Sequence, residues 1–245
     1  MRWGRRAAEV AAAATLPRTA IELRDVAHDY GERAVLRDVS LTLAEHRVGV
    51  VGANGSGKST FARLLNGLVQ PTSGTVLVDG LDTRTQLREV RRRVGFVFQD
   101  PDAQIVLPTV AEDVAYGLEN QGVPPDERAA RVTEVLERYG LAGHADHPAH
   151  LLSGGQKQLL AIAGVLVMRP ARIVFDEPTT LLDLVNARRV AELIAGLEQQ
   201  VVVVTHQLDL LDGFDRVLVV DGGRVVEDAP PGPAVAAYRA LMEHR

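Results

Sequence analysis

An apolar run, Arg47–Val51, leads straight into Gly52-Ala-Asn-Gly-Ser-Gly-Lys-Ser-Thr60, and an amphipathic stretch, Lys58–Val69, follows it. A strand, a glycine-rich loop and a helix in that order constrain the fold more than anything else in the chain. The loop fits G-x-x-x-x-G-K-[ST] in the strand–helix frame the motif requires. Glycines 52, 55 and 57 let the backbone wrap an anion with its N–H groups turned inward. The helix N-terminus adds the positive end of its dipole. Asn54, Ser56 and Thr60 complete the loop, Lys58 is placed to reach the β- and γ-phosphates of a nucleotide, and the Ser59 hydroxyl is placed to ligate Mg²⁺.

The rest of the chain alternates β-branched runs with amphipathic stretches, which predicts an α/β fold with a mostly parallel sheet and flanking helices. Ile21–Val26 and Val35–Leu43 alternate apolar and polar residues and read as half-buried antiparallel strands. Thr75–Asp79, Val94–Phe98, Arg172–Phe175, Val201–Thr205 and Arg216–Val220 read as further strands. Helices are expected at Gln86–Arg93, Thr109–Glu119, Pro125–Tyr139, Ser153–Met168, Leu184–Leu197 and Ala234–Glu243. The 245 residues suit one large domain with subdomains. Residues 1–19, with Arg2, Arg5 and Arg6 before an alanine stretch, are expected to be a poorly ordered extension. A net charge of −5 disfavours a phosphate-backbone binder, so no nucleic-acid partner is expected. The absence of cysteine excludes thiolate metal sites and fits a reducing compartment. No apolar run approaches the roughly 18–20 residues of a membrane-spanning helix.

Two further segments carry chemistry. Arg172-Ile-Val-Phe-Asp-Glu177 delivers two carboxylates at the end of an apolar strand. Asp176 suits a Mg²⁺ shell and Glu177 suits polarising a water towards a γ-phosphate. Leu152-Ser-Gly-Gly-Gln-Lys-Gln158 places Ser153 as an N-cap, with Gly154, Gly155 and Gln156 opening the helix. One nucleotide needs only one phosphate cradle from a chain. Two cradles imply a dimer in which each chain closes on the γ-phosphate held by its partner.

With these residues in hand the chain resembles an ABC-type ATPase from about Ile21 to Glu227. The P-loop, the Leu-Ser-Gly-Gly-Gln signature and the Ile-Val-Phe-Asp-Glu strand stand in that family's order. The resemblance implies a P-loop core, an antiparallel β subdomain and an α-helical subdomain. Residues 20–230 would form the ATPase domain, about 105–165 the helical part, and 231–245 a short C-terminal helix. It implies ATP and Mg²⁺ as ligands and adds roles at matching positions. Tyr30 resembles the aromatic that stacks on adenine, and Gln99 the glutamine that touches Mg²⁺ or attacking water. Asp183 resembles the aspartate of the loop crossing the dimer interface, and His206 the switch histidine at the γ-phosphate. Glu177, His206, Gln99 and Lys58 would be catalytic, with Ser59, Gln99 and Asp176 around the metal.

Phe98-Gln-Asp-Pro-Asp-Ala-Gln104, followed by Leu107-Pro-Thr-Val and Glu112-Asp-Val-Ala-Tyr-Gly117, resembles the ATPases of energy-coupling factor (ECF) importers, with Gln104 as their second glutamine. That resemblance implies a second ATPase chain (the same or a paralogue), a transmembrane coupling protein, a substrate-binding membrane subunit and a peripheral place at the cytoplasmic face. Two departures bear on it. Leu181 stands where the interface loop is commonly Ala or Gly, and too little chain follows Asp221-Gly-Gly-Arg224 for a C-terminal dimerisation domain. The short tail and Asp176-Glu-Pro-Thr-Thr-Leu-Leu-Asp183 favour the biotin branch, with cobalt or nickel next. A soluble cassette serving cofactor assembly is the competing reading, and a regulatory module without turnover a third. His144, Asp146, His147 and His150 are expected to be solvated rather than a metal site. Arg88, Arg91, Arg92 and Arg93 read as a solvated face.

Overall fold

A computed structural model describes residues 20–243; the expected N-terminal extension, 1–19, lies outside them. Two sheets organise the chain. In the first, β1 (Ile21–Tyr30), β2 (Arg33–Leu43), β4 (Ser73–Val78) and β5 (Leu81–Asp82) pair antiparallel in the order β2-β1-β4-β5. In the second, β6 (Val94–Val97), β7 (Arg172–Asp176), β8 (Gln200–Val204), β3 (Arg47–Val51) and β9 (Arg216–Asp221) run parallel, and β10 (Arg224–Ala229) closes the edge antiparallel to β9.

The parallel sheet is buried on both faces, which is why its strands read as unbroken valine runs. Val201 and Val203 of β8 join one core; Val202 and Val204 join the other. The second core lies between the parallel sheet, the antiparallel sheet and α1 (Lys58–Leu64), where Phe61, Leu64 and Leu65 are fully buried. The first core is covered by α3 (Val110–Asn120), α4 (Pro125–Arg138), α5 (Gly154–Leu166), α6 (Leu184–Ala195) and α7 (Pro231–Glu243). A further short helix, α2 (Leu87–Arg93), leads into β6.

At the end of the parallel sheet away from the loops described below, Arg172 ties the two sheets together. It donates to both oxygens of Asp79, at 3.0 and 2.5 Å, and to Gln200 Oε1 at 2.6 Å. Its side chain is only 3% exposed.

Several boundaries differ from the sequence reading for local reasons. Helix α1 stops at Leu64, well short of Val69, because the Leu65 amide turns back to the Ala62 carbonyl and Gly67 takes a φ of +69°. Strand β1 continues to Tyr30 through register shifts around Asp25, whose φ is +50°. Strand β10 was absent from the sequence reading: its residues alternate exposed and half-buried, the weak signature of an edge. Helix α7 begins at Pro231 rather than Ala234, using proline in its first turn.

Candidate functional site

Parallel strands deliver their carboxyl ends to one edge of the sheet, and in such sheets that edge is where ligands bind. Here β3 ends in the Gly52–Thr60 loop, β7 in Asp176-Glu177, β8 in Thr205-His206 and β6 in Phe98-Gln99. The adjacency β3-β8-β7-β6 therefore brings four chain-distant segments side by side.

They line one cavity of about 880 Å³. Of the expected nucleotide residues, Tyr30, Gly52, Asn54, Gly55, Gly57, Lys58, Ser59, Thr60, Gln99, Glu177 and His206 all face it. Ser56 is buried within the loop itself, and Asp176 lies just behind Ser59. Gly57 opens α1 with a φ of +108°, and a Cβ there would stand 2.8 Å from the Val35 carbonyl oxygen. Only glycine fits that approach.

The Lys58 ammonium donates to the Gly52 and Ala53 carbonyls at 2.8 and 2.9 Å. Burial pushes its pKa below the ordinary lysine value, against the opposing charges of Glu177 and Asp176. Ser59 Oγ donates to Asp176 Oδ1 at 2.9 Å, and Arg63 stands 3.7 Å from the other oxygen. Burial pushes the Asp176 carboxyl up, with that hydrogen bond and the Arg63 charge working the other way. A buried carboxylate facing a hydroxyl beside an anion cradle suits a hard cation. Among the described residues no group of three His, Cys, Asp or Glu side chains would hold a metal alone. A cation here would draw the rest of its shell from phosphate oxygens and water.

Glu177 has a φ of +51°, an uncommon conformation for a residue with a side chain. Its N–H donates to the Val204 carbonyl at 2.9 Å, which turns the residue out of β7 towards β8. Thr180 Oγ1 donates to Glu177 Oε2 at 2.9 Å, and His206 Nδ1 lies 3.2 Å from the same oxygen. The carboxylate is thus aimed from two sides while its second oxygen stays free of these partners.

The expected second cradle stands apart. None of Ser153, Gly154, Gly155, Gln156 or Asp183 lines the cavity of its own chain. Ser153 and Gln156 form a reciprocal capping box at the start of α5. Asp183 caps α6, accepting from the Asn186 N–H at 2.9 Å and its side-chain amide at 2.7 Å. A Cβ on Gly155 would meet the Asn186 side chain at 2.4 Å, so signature and interface loop pack directly together.

Six lining residues were not among those expected at the site: Arg33, Val35, Ala53, Thr180, Tyr238 and Met242. Ala53 lies inside the glycine-rich loop and Thr180 inside the Asp176–Asp183 run, while Arg33 and Val35 belong to no motif. Tyr238 and Met242 sit on successive turns of α7, where i, i+4 apolar residues read as core packing. Gln104 behaves more specifically than a loop residue should. Its Oε1 accepts from the Phe98 N–H at 3.1 Å and its Nε2 donates to the Ala161 carbonyl of α5 at 2.9 Å. Lys157 of the same helix reaches Asp102 at 2.7 Å.

Residues 36–180 match the family model described as ABC transporter. The chain belongs to the ABC transporter family of ATPases. The ATPase is 64% identical over 222 residues to an ABC transporter ATP-binding protein of Deinococcus radiodurans, covering 91% of this chain and 98% of that one. It is 45% identical over 221 residues to the biotin transport ATP-binding protein BioM of Rhizobium etli, covering 90% and 98%. CbiO1 of Clostridium perfringens, part of the ABC transporter complex CbiONQ, superposes with a TM-score of 0.78 at 32% identity, over 91% of this chain and 93% of that one. No helix among the described residues of the ATPase is long and apolar enough to cross a membrane.

Proposed function

We propose that the ATPase works as a head-to-tail dimer, with the same chain or a paralogue, and powers an ECF-type importer from the cytoplasmic face of the membrane. The observation that carries the dimer is the separation of the two phosphate cradles within one chain. Each becomes useful only when a second cassette presents its Ser153–Gln156 to the first one's Gly52–Thr60. Exposed Leu181, Leu184 and Val185, 61%, 73% and 77% accessible, flank Asp183 and give that contact an apolar component.

In this reading Tyr30 stacks on adenine, and Tyr238 with Met242 forms a further apolar wall at the base. Residues 52–60 hold the phosphates through backbone N–H groups. Ser59, Asp176 and Gln99 would hold Mg²⁺, whose chemistry there is to offset charge on the phosphate oxygens. Glu177 accepts a proton from the water that attacks the γ-phosphorus, and the bond from that phosphorus to the ADP oxygen breaks. Thr180 and His206 hold the carboxylate for that step, while Lys58 and His206 stabilise the phosphoryl oxygens. Loss of the bridging phosphate removes contacts that exist only in the closed dimer, so the dimer reopens. Gln104 and Lys157, which tie the Gln99 loop to α5, carry that motion towards a transmembrane coupling protein.

The likeness to BioM along nearly its whole length favours biotin as cargo, recognised by a separate membrane subunit rather than by this chain. The test is affinity purification of the tagged chain from detergent-solubilised membranes of its host, with mass spectrometry of what accompanies it. A polytopic coupling protein with a small hydrophobic subunit is the expected result. Recovery with soluble scaffold proteins alone would replace the importer with an assembly ATPase.

A further inference from the structure

Of the histidines before the signature, half-buried His144 and exposed His147 are bonded to one another. Gln156 Oε1 accepts from the Ser153 N–H at 2.9 Å, which fixes the orientation of its amide. Its Nε2 therefore faces His144 Nε2, 2.9 Å away. An amide nitrogen only donates, so His144 Nε2 accepts and the imidazole carries its proton at Nδ1. That proton points to His147 Nδ1 at 2.8 Å, which must in turn accept. The two rings meet edge-on, with centroids 4.9 Å apart. Backbone bonds from Val110 to His147 and from Ala111 to Ala145 pin the histidine loop to the start of α3.

We propose that His144 is a positioning residue for the signature. Its neutral imidazole, held in one tautomer by His147, keeps Gln156 in the capping box and so keeps the N-terminus of α5 in the form that meets the γ-phosphate across the dimer. The inference rests on the reading of Ser153–Gln156 as the second cradle.

The chain of bonds works in one protonation state only. A second proton on His144 sets two N–H groups face to face at Nε2, and one on His147 does the same at Nδ1. Several charged groups on the elements packed around the pair have partners of their own. Glu112 of α3 is closed into a capping box with Thr109, and Asp113 accepts from the amides of Val106 and Leu107. Lys157 of α5 is paired with Asp102, and Arg138 near the end of α4 lies over the Tyr139 ring. Asp146 stands between the two histidines in the chain.

The test compares His144→Leu, which removes the acceptor, with His144→Gln, whose amide oxygen restores it without a titrating group. ATP hydrolysis and binding of a fluorescent ATP analogue are measured on the full chain. The H144L variant should lose about tenfold in kcat with unchanged nucleotide affinity, and H144Q should stay within about twofold of the wild type. A wild-type kcat in H144L, or an equal loss in H144Q and H144L, would overturn the positioning role. Ser153→Ala serves as the reference: if it hydrolyses ATP at the wild-type rate, the second-cradle reading fails instead.

Discussion

Replacing Asp79 by Asn isolates the charge that holds the two sheets together. Asp79 sits at a φ of +51°, which Asn tolerates as well as Asp, so the backbone is not disturbed. What changes is the environment of Arg172, whose guanidinium is 3% exposed and would lose its compensating carboxylate. Removing one partner of a buried pair costs about 3–5 kcal/mol. The low end applies here, because Gln200 Oε1 still accepts from Arg172 at 2.6 Å and the Asn oxygen still accepts once. A loss of about 3 kcal/mol corresponds to about 6–12 °C in Tm for a chain of this size. Circular dichroism melts and urea titrations at pH 7 would measure it. The Arg172→Met background should reduce the effect of D79N to below about 1 kcal/mol, since Asp79 then keeps only its exposed bond to Arg93 at 3.0 Å. A D79N loss under about 1 kcal/mol, or the same loss in both backgrounds, would refute the reasoning. The pH dependence has a definite sign. Burial alone would raise the Asp79 carboxyl, but Arg172 first and then Arg93 hold it below its ordinary value. A depressed folded pKa means the contribution is complete above the unfolded value of about 3.9 and is lost as pH falls through the folded one.

Two further predictions concern the site. Tyr238→Ala should weaken ATP binding by about tenfold while leaving inorganic triphosphate binding unchanged, because an aromatic wall acts on the base and not on the phosphates; calorimetry with both ligands checks this, and equal losses would place Tyr238 outside the base site. Gln104→Leu removes the bridge between the Phe98 amide and the Ala161 carbonyl, so transport by the reconstituted importer should fall more than basal hydrolysis; equal falls would deny the bridge a coupling role.

The P-loop was legible because its residues are contiguous and its conformation is dictated locally by glycine. Asp176 and Glu177 were legible because a buried strand rarely ends in two carboxylates without a reason. The parallel sheet was legible through its valine runs, and β10 was not, because an edge strand lacks that pressure. Residues recruited from far along the chain left no local sign. Tyr238 and Met242 reach the cavity only because α7 folds back over β9 and β10, and Thr180 matters only because Glu177 turns left-handed beside it. The contact that gives the histidine pair its meaning, His144 to Gln156, spans a loop that no periodicity encodes.

The central claim is that ATP joins two cassettes through cradles that a single chain keeps apart. Replacing Glu177 by Gln preserves the volume and the partners of that side chain while removing the proton acceptor, slowing hydrolysis by about 10²–10⁴. The direct measurement is the mass of E177Q in solution with and without saturating Mg·ATP. The expected result is a monomer that becomes a stable dimer when ATP is added. A protein that binds ATP at saturation and remains monomeric, with or without a purified paralogue, would contradict it.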